Sequence, residues 1–165
     1  VYLEVVTDSI HRYDGVVDKF IGDCAMALWN VPVELRNHPL KACRAAWEIL
    51  ERTEHLYTTP EWRGANPWVT RIGLHCDKVT VGHFGSPVRM NYTALGDGVN
   101  LASRLESLNK IYGSQILVSA AVYREASTHF HFCHMDRVAV AGKNEPVDIY
   151  RLLGPLGHLS EHQVH

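Results

Sequence analysis

The stretch Asp18-Lys19-Phe20-Ile21-Gly22-Asp23 sets an ammonium and a carboxylate four residues apart, with a glycine directly before the second acid. On an extended chain that even spacing puts Lys19 and Asp23 on one side. A carboxylate at the tip of a tight hairpin is exposed and rigid, which suits a hard cation such as Mg²⁺ shared with phosphate oxygens. Taken alone, the segment is more simply a solvated hairpin carrying a surface acid and a surface lysine. A second stretch runs from Tyr92 through Gly96-Asp97-Gly98 to Arg104. Its Asn100 and Arg104 are i and i+4 on a predicted helix, so they share a face. A neutral donor beside a fixed cation can grip a triphosphate and the charge that develops as it reacts. The alternative for that face is an Arg104 paired to Glu106 or Asp97.

These side chains need elements to carry them. Tyr2, Leu3, Val6, Ile10 and Tyr13 recur at helical spacing, and Gly15 is expected to stop that helix. Val16–Ile21 and Cys24–Trp29 flank the turn pair Gly22-Asp23, a hairpin signal. A long amphipathic helix follows from Asn37, a candidate N-cap, to about Tyr57, with Leu40, Cys43, Trp47 and Leu50 on its apolar side. Val69–Leu74 and Val79–Phe84 read as a second hairpin around Cys76-Asp77-Lys78, and Asn91–Leu95 as a brief strand. A helix then spans about Gly98 to Tyr112 and ends at Gly113. Ile116–Val118 is strand, Ala120–Ala126 helix, and two strands near Phe130–Ala139 and Val147–Leu152 close the order. Mixed hairpins and helices predict an α+β fold, a mostly antiparallel sheet with helices outside it.

Composition narrows the function. With 46% hydrophobic and 21% charged residues, 165 residues make one ordinary globular domain. The formal net charge of −2 gives no reason to expect nucleic acid, while a phosphate-bearing small ligand needs only a few local cations. Cys24, Cys43, Cys76 and Cys133 form no C-x-x-C pair, so a disulfide framework or zinc ribbon is not indicated, and a cytoplasmic setting fits. They are expected to be small core residues. Trp29, Trp47, Trp62 and Trp68 read as packing or interface residues. His129, His131 and Cys133 alternate along one strand, a pattern better explained by the polar face of an edge strand than by a metal cluster. No apolar run reaches the roughly 20 residues that span a bilayer, so no direct membrane contact is expected of this segment.

Together the two chemical segments resemble the catalytic domain of the class III nucleotidyl cyclases. The resemblance runs in order through Gly15–Asp23 (G-x-V-x-K-x-x-G-D), Arg71–Gly85 (R-I-G-x-H), Tyr92–Arg104 (G-D-x-V-N-x-A-S-R), Asn109–Val118 and Gly142–Tyr150. It implies a ferredoxin-like βαββαβ core and catalytic domains that pair head to tail with ATP between them. It implies an adenylyl cyclase that makes 3′,5′-cyclic AMP and pyrophosphate with two Mg²⁺ or Mn²⁺ ions per site. Residue by residue, Asp23 resembles the second of two metal-binding aspartates, Lys19 the purine-selecting lysine and Thr93 its partner. Asn100 resembles the ribose-orienting residue, and Arg104 the one that stabilises the transition state. Lys19 would donate to adenine N1 while the Thr93 hydroxyl accepts from N6, a pairing that guanine cannot satisfy. A guanylyl cyclase is expected to carry an acid at the lysine position. Threonine at position 93 resembles the bicarbonate-responsive branch, which makes bicarbonate a candidate activator. Both half-sites occur in one chain, so a homodimer with two equivalent sites is expected.

The sequence departs from the family pattern in two places. The family's first metal aspartate lies on a strand before the helix with which this chain begins, so the chain reads as a fragment with an incomplete metal site, with low or no turnover expected of it alone and activity expected of the intact domain. Near the other end the family's K-G-K appears as Ala141-Gly142-Lys143, leaving Lys143 as a phosphate-binding candidate. The domain is placed at residues 1–154, with 155–165 a tail or linker. The competing reading is a non-catalytic cyclase-homology domain that binds nucleotide or regulates a partner.

Overall fold

A computed structural model describes residues 1–64, 68–139 and 144–157. The fold is α+β with mostly antiparallel pairing, and the chain divides into two compact units, Val1–Thr70 and Arg71–His165. Among the described residues no helix is long and apolar enough to cross a membrane.

In the first unit, α1 (Tyr2–Arg12) and α2 (His38–Leu56) flank in sequence the antiparallel hairpin β1 (Val16–Ile21) and β2 (Cys24–Leu28). The two helices pack against each other and bury Val6 and Ile10 of α1 and Leu40, Cys43, Ile49 and Leu50 of α2. Beside this apolar seam, Arg52 of α2 reaches Ser9 at 3.0 Å and pairs with Asp8 and Glu48, and Arg12 of α1 pairs with the same two acids. The stop of α1 differs from expectation. Asp14, not Gly15, takes the left-handed conformation at φ 62°. Its N–H bonds the His11 carbonyl at 3.0 Å and the Gly15 N–H bonds the Ile10 carbonyl at 2.9 Å, the two bonds of a Schellman ending. Gly15 serves close approach instead, since a β-carbon there would lie 2.6 Å from the Trp29 ring. Asn37 stands at the N-cap of α2, left-handed at φ 56° and without a side-chain capping bond.

The second unit holds a four-stranded sheet in the order β3-β6-β8-β7 and a separate two-stranded hairpin, β4–β5. Its strands are β3 (Ile72–Leu74), β4 (Thr80–Ser86), β5 (Arg89–Leu95), β6 (Ile116–Ser119), β7 (Phe130–Val138) and β8 (Val147–Pro155). Its helices are α3 (Asp97–Tyr112) and α4 (Ala120–Ala126). The expected hairpin between residues 69–74 and 79–84 does not form: β3 pairs in parallel with β6, and β4 pairs with β5 through Ser86↔Arg89. The reason is a better partner for each strand, one near and one distant. Pro87 and Val88 close a two-residue turn that gives β4 a seven-residue partner, while the three residues of β3 gain the wholly buried β6. Cys76-Asp77-Lys78 is therefore not a hairpin turn but part of the connection between two sheets.

Leu101 and Leu105 of α3 meet Leu117, Val138 and Ile149 in a core cluster, with Leu108, Tyr112, Met135 and Val147 packed around it. Helix and sheet approach closely: a β-carbon at Gly73 would lie 2.3 Å from the Ala102 carbonyl oxygen. Asn109 fastens the far end of α3. Its buried Nδ2 donates to the Ile72 carbonyl at 2.9 Å, and its Oδ1 accepts from Ser114 at 2.8 Å. Asn109→Ala strands the Ser114 hydroxyl and the Ile72 carbonyl on the helix side, and is expected to cost about 2 kcal/mol of stability, read from urea unfolding at fixed m-value.

The cysteines are not all core residues. Cys43 is fully buried and its thiol is pushed up to about 12 by desolvation, whereas Cys24 and Cys133 are exposed. On β7, an edge strand of its sheet, register shifts fall between His131 and Phe132 and between His134 and Asp136, which break the strict alternation that the sequence suggests. His134 Nε2 contacts Asp148 Oδ1 at 2.9 Å; this bond, helped by Arg137, holds the Asp148 carboxyl below its ordinary range. Among the described residues no three His, Cys, Asp or Glu side chains group as a metal site.

Candidate active-site residues

The first unit presents its chemistry on the β1–β2 hairpin. Ile21 pairs with Cys24, so Gly22 and Asp23 are the whole turn, and Gly22 takes φ 63° at its first position. Asp23 is exposed at the tip. It lies beyond the end of β1, so strand alternation does not extend from Lys19 to it. Lys19 sits mid-strand and half-buried, its Nζ 3.9 Å from Asp18 Oδ1. The register shifts between Val17 and Lys19, which makes Asp18 the irregular residue, and its carboxylate is only 1% exposed. Burial of this acid is not legible from residue pattern, because a bulge inverts the face that simple alternation assigns.

In the second unit, Asn100 and Arg104 project from α3 on its exposed side, about 100° round the helix from the buried Leu101 and Leu105. Among the described residues neither forms a side-chain hydrogen bond or ion pair, so the expected alternative of Arg104 paired to Glu106 or Asp97 is not seen. Thr93 is on β5 opposite Gly82 and only 5% exposed, so within one chain it offers little surface to a ligand. Lys143 lies outside the described residues.

The donor set fits a divalent metal in kind. Asp23 is a hard oxygen donor on a short turn, and Mg²⁺ is commonly held by one or two carboxylates with substrate phosphates and water completing the shell. The α3 face supplies what phosphate chemistry needs from a protein: one fork-shaped, permanently charged donor and one neutral amide on a rigid helix.

The model of the adenylate and guanylate cyclase catalytic domain matches residues 6–154, and the chain belongs to that family. It is 35% identical over 153 residues to adenylate cyclase 1 of Rhizobium meliloti (strain 1021), covering 93% of this chain and 23% of that relative's length. Among solved structures it resembles the adenylyl cyclase CyaB from P. aeruginosa, with a TM-score of 0.83, 30% identity, and 96% of this chain and 82% of that one covered. It resembles the guanylyl cyclase Cya2 equally well, with a TM-score of 0.84, 28% identity, and 96% and 81% covered. The backbone alone therefore does not choose the base. That choice rests on side chains.

Proposed function

We propose that this domain cyclises ATP to 3′,5′-cyclic AMP and pyrophosphate, working as a pair of identical chains. The observation that carries the reading is the joint presence, in a chain of this family, of an exposed Asp23, an accessible Lys19 and an uncommitted Asn100–Arg104 face. In the reaction the ribose O3′ bonds to the α-phosphorus as the bond from that phosphorus to the bridging oxygen of pyrophosphate breaks, and the 3′-hydroxyl proton passes to solvent water. Asn100 orients the ribose, and Arg104 places its charge on the phosphoryl oxygens where negative charge grows. Lys19 donates to adenine N1. Asp23 would hold divalent cation, which when bound acidifies the 3′-hydroxyl and neutralises the leaving pyrophosphate. Lys143 is retained as a candidate for the phosphates.

Lysine at position 19 favours ATP over GTP, and the name of the Rhizobium relative points the same way. Thr93 joins the chain, on this reading, to the threonine-bearing adenylyl cyclases; its hydroxyl must be uncovered in the paired state to meet N6. Bicarbonate added to the assay tests that branch, and an unchanged rate would remove it from the proposal.

The substrate test, run on the chain joined to an upstream strand that supplies the family's first metal aspartate, compares ATP and GTP as sole nucleotide with Mn²⁺, measuring cyclic product by chromatography. ATP is expected to have the higher kcat/KM, and Lys19→Glu with Thr93→Cys should shift the ratio toward GTP by roughly 10- to 100-fold, the scale of one or two base contacts. Faster turnover of GTP by the unaltered protein would overturn the base assignment. Absence of any cyclic product would favour the non-catalytic alternative.

A further inference from the structure

His75 follows β3 and is nearly enclosed, its side chain 5% exposed. Its Nδ1 lies 2.7 Å from the hydroxyl of Ser119, and its Nε2 lies 3.4 Å from Asp77 Oδ2. One neutral tautomer satisfies both contacts: the Ser119 O–H donates to Nδ1, and Nε2–H donates to Asp77. Ser119 is the last residue of β6 and the N-cap of α4, where a serine hydroxyl ordinarily accepts from the helix backbone. Here it makes no capping bond. The hydroxyl, fully buried, is used on the imidazole instead.

The first turn of α3 rests directly on this group. A β-carbon at Gly98 would lie 2.9 Å from Asp77 Cβ, 3.3 Å from Val79 Cγ1 and 3.5 Å from His75 Cδ2, so only a glycine allows that approach. The far end of α3 is fixed independently by Asn109 and Ile72. The segment 72–77 thus holds the helix at both ends, and the His75 imidazole links the end of β6 to the turn under the two residues that precede Asn100.

We infer that His75 is a positioning residue for catalysis: through Ser119 and Asp77 it fixes the first turn of α3, and with it where Asn100 and Arg104 meet the nucleotide. The inference deepens the cyclase reading and rests on it for the word catalysis; the mechanical part does not need it. Contacts made to the transition state depend on placement to within about an ångström, and a misplacement of that size costs up to roughly a hundredfold in rate. Lys19 and Asp23 belong to the other unit and are untouched by loss of the imidazole, so nucleotide binding should persist and the loss falls on kcat.

The test uses the chain joined to the upstream strand with the family's first metal aspartate, as in the substrate assay, and its His75→Ala, His75→Asn, His75→Gln and Ser119→Ala variants. In His75→Ala, kcat should fall by roughly ten- to a hundredfold while KM for ATP stays within about twofold. Asparagine, whose amide overlays the Nδ1 side of the ring and keeps the Ser119 contact, should restore more of kcat than glutamine. Ser119→Ala, a change of one buried oxygen, should reproduce the kcat loss and decides the matter if His75→Ala does not fold. Amide hydrogen exchange gives a readout independent of activity: faster exchange at Val99 to Ser103, with Leu105 to Tyr112 unchanged, is expected in both variants. Unchanged exchange at that first turn overturns the inference, as does an active parent whose variants lose KM and kcat together or show no asparagine rescue. A parent protein that forms no cyclic nucleotide from ATP or GTP would instead reject the proposed function, with the exchange data still deciding whether His75 holds the helix.

Discussion

Arg104→Ala is expected to lower kcat for cyclic AMP formation by roughly 10²- to 10³-fold, the scale seen when one transition-state donor is removed. The guanidinium is exposed and makes no ion pair among the described residues, so nothing in the fold depends on it. Unfolding free energy should stay within about 0.5 kcal/mol of the parent, as for other surface changes. Arg104→Lys keeps the charge but not the planar fork, and should recover part of the rate. Steady-state assays at saturating nucleotide, with a urea melt alongside, check both halves. A variant with parental kcat would remove Arg104 from the chemistry.

Leu105→Ala, one residue further along α3, should do the reverse. Leu105 is fully buried in the cluster with Leu101, Leu117, Val138 and Ile149. The helix already touches the backbone of β3 at Gly73, whose missing β-carbon would sit 2.9 Å from Leu105 Cβ, so the structure has little freedom to collapse into the space left. The cost should therefore be in the upper part of the usual range for such truncations, about 3 to 5 kcal/mol. Urea or thermal unfolding measures it. A loss below about 1 kcal/mol would show that this cluster is not the core described here. Adjacent residues with opposite phenotypes would establish that α3 has one face for packing and one for substrate.

That division of α3 was legible in the residues. Asn100 and Arg104 at i and i+4 share a face whatever surrounds the helix, and Gly113 ends it at φ 62° where expected. The turn at Gly22-Asp23 was equally plain, because apolar runs on either side of a glycine-containing pair leave few other readings. Where the reading failed, a contact distant in sequence or a subtle backbone choice was at work. Asp14 took the left-handed position expected of Gly15, since an aspartate tolerates it and the glycine was needed against Trp29. Exposure of Cys24 and Cys133 depends on which strands are edges, and no cysteine announces that.

From its own letters, then, the chain specified most element boundaries, the hairpin tip that carries Asp23, the helix face that carries Asn100 and Arg104, and through their ordered motifs the family. These follow from interactions among residues a few positions apart, where periodicity and turn chemistry act directly. Tertiary structure decided that β3 runs parallel to β6 instead of folding back on β4, that Asp18 is buried at a bulge, and that His75 meets Ser119 and Asp77 beneath α3. Each of those depends on which distant segment supplies the most buried partner, a competition settled only when the whole chain has folded.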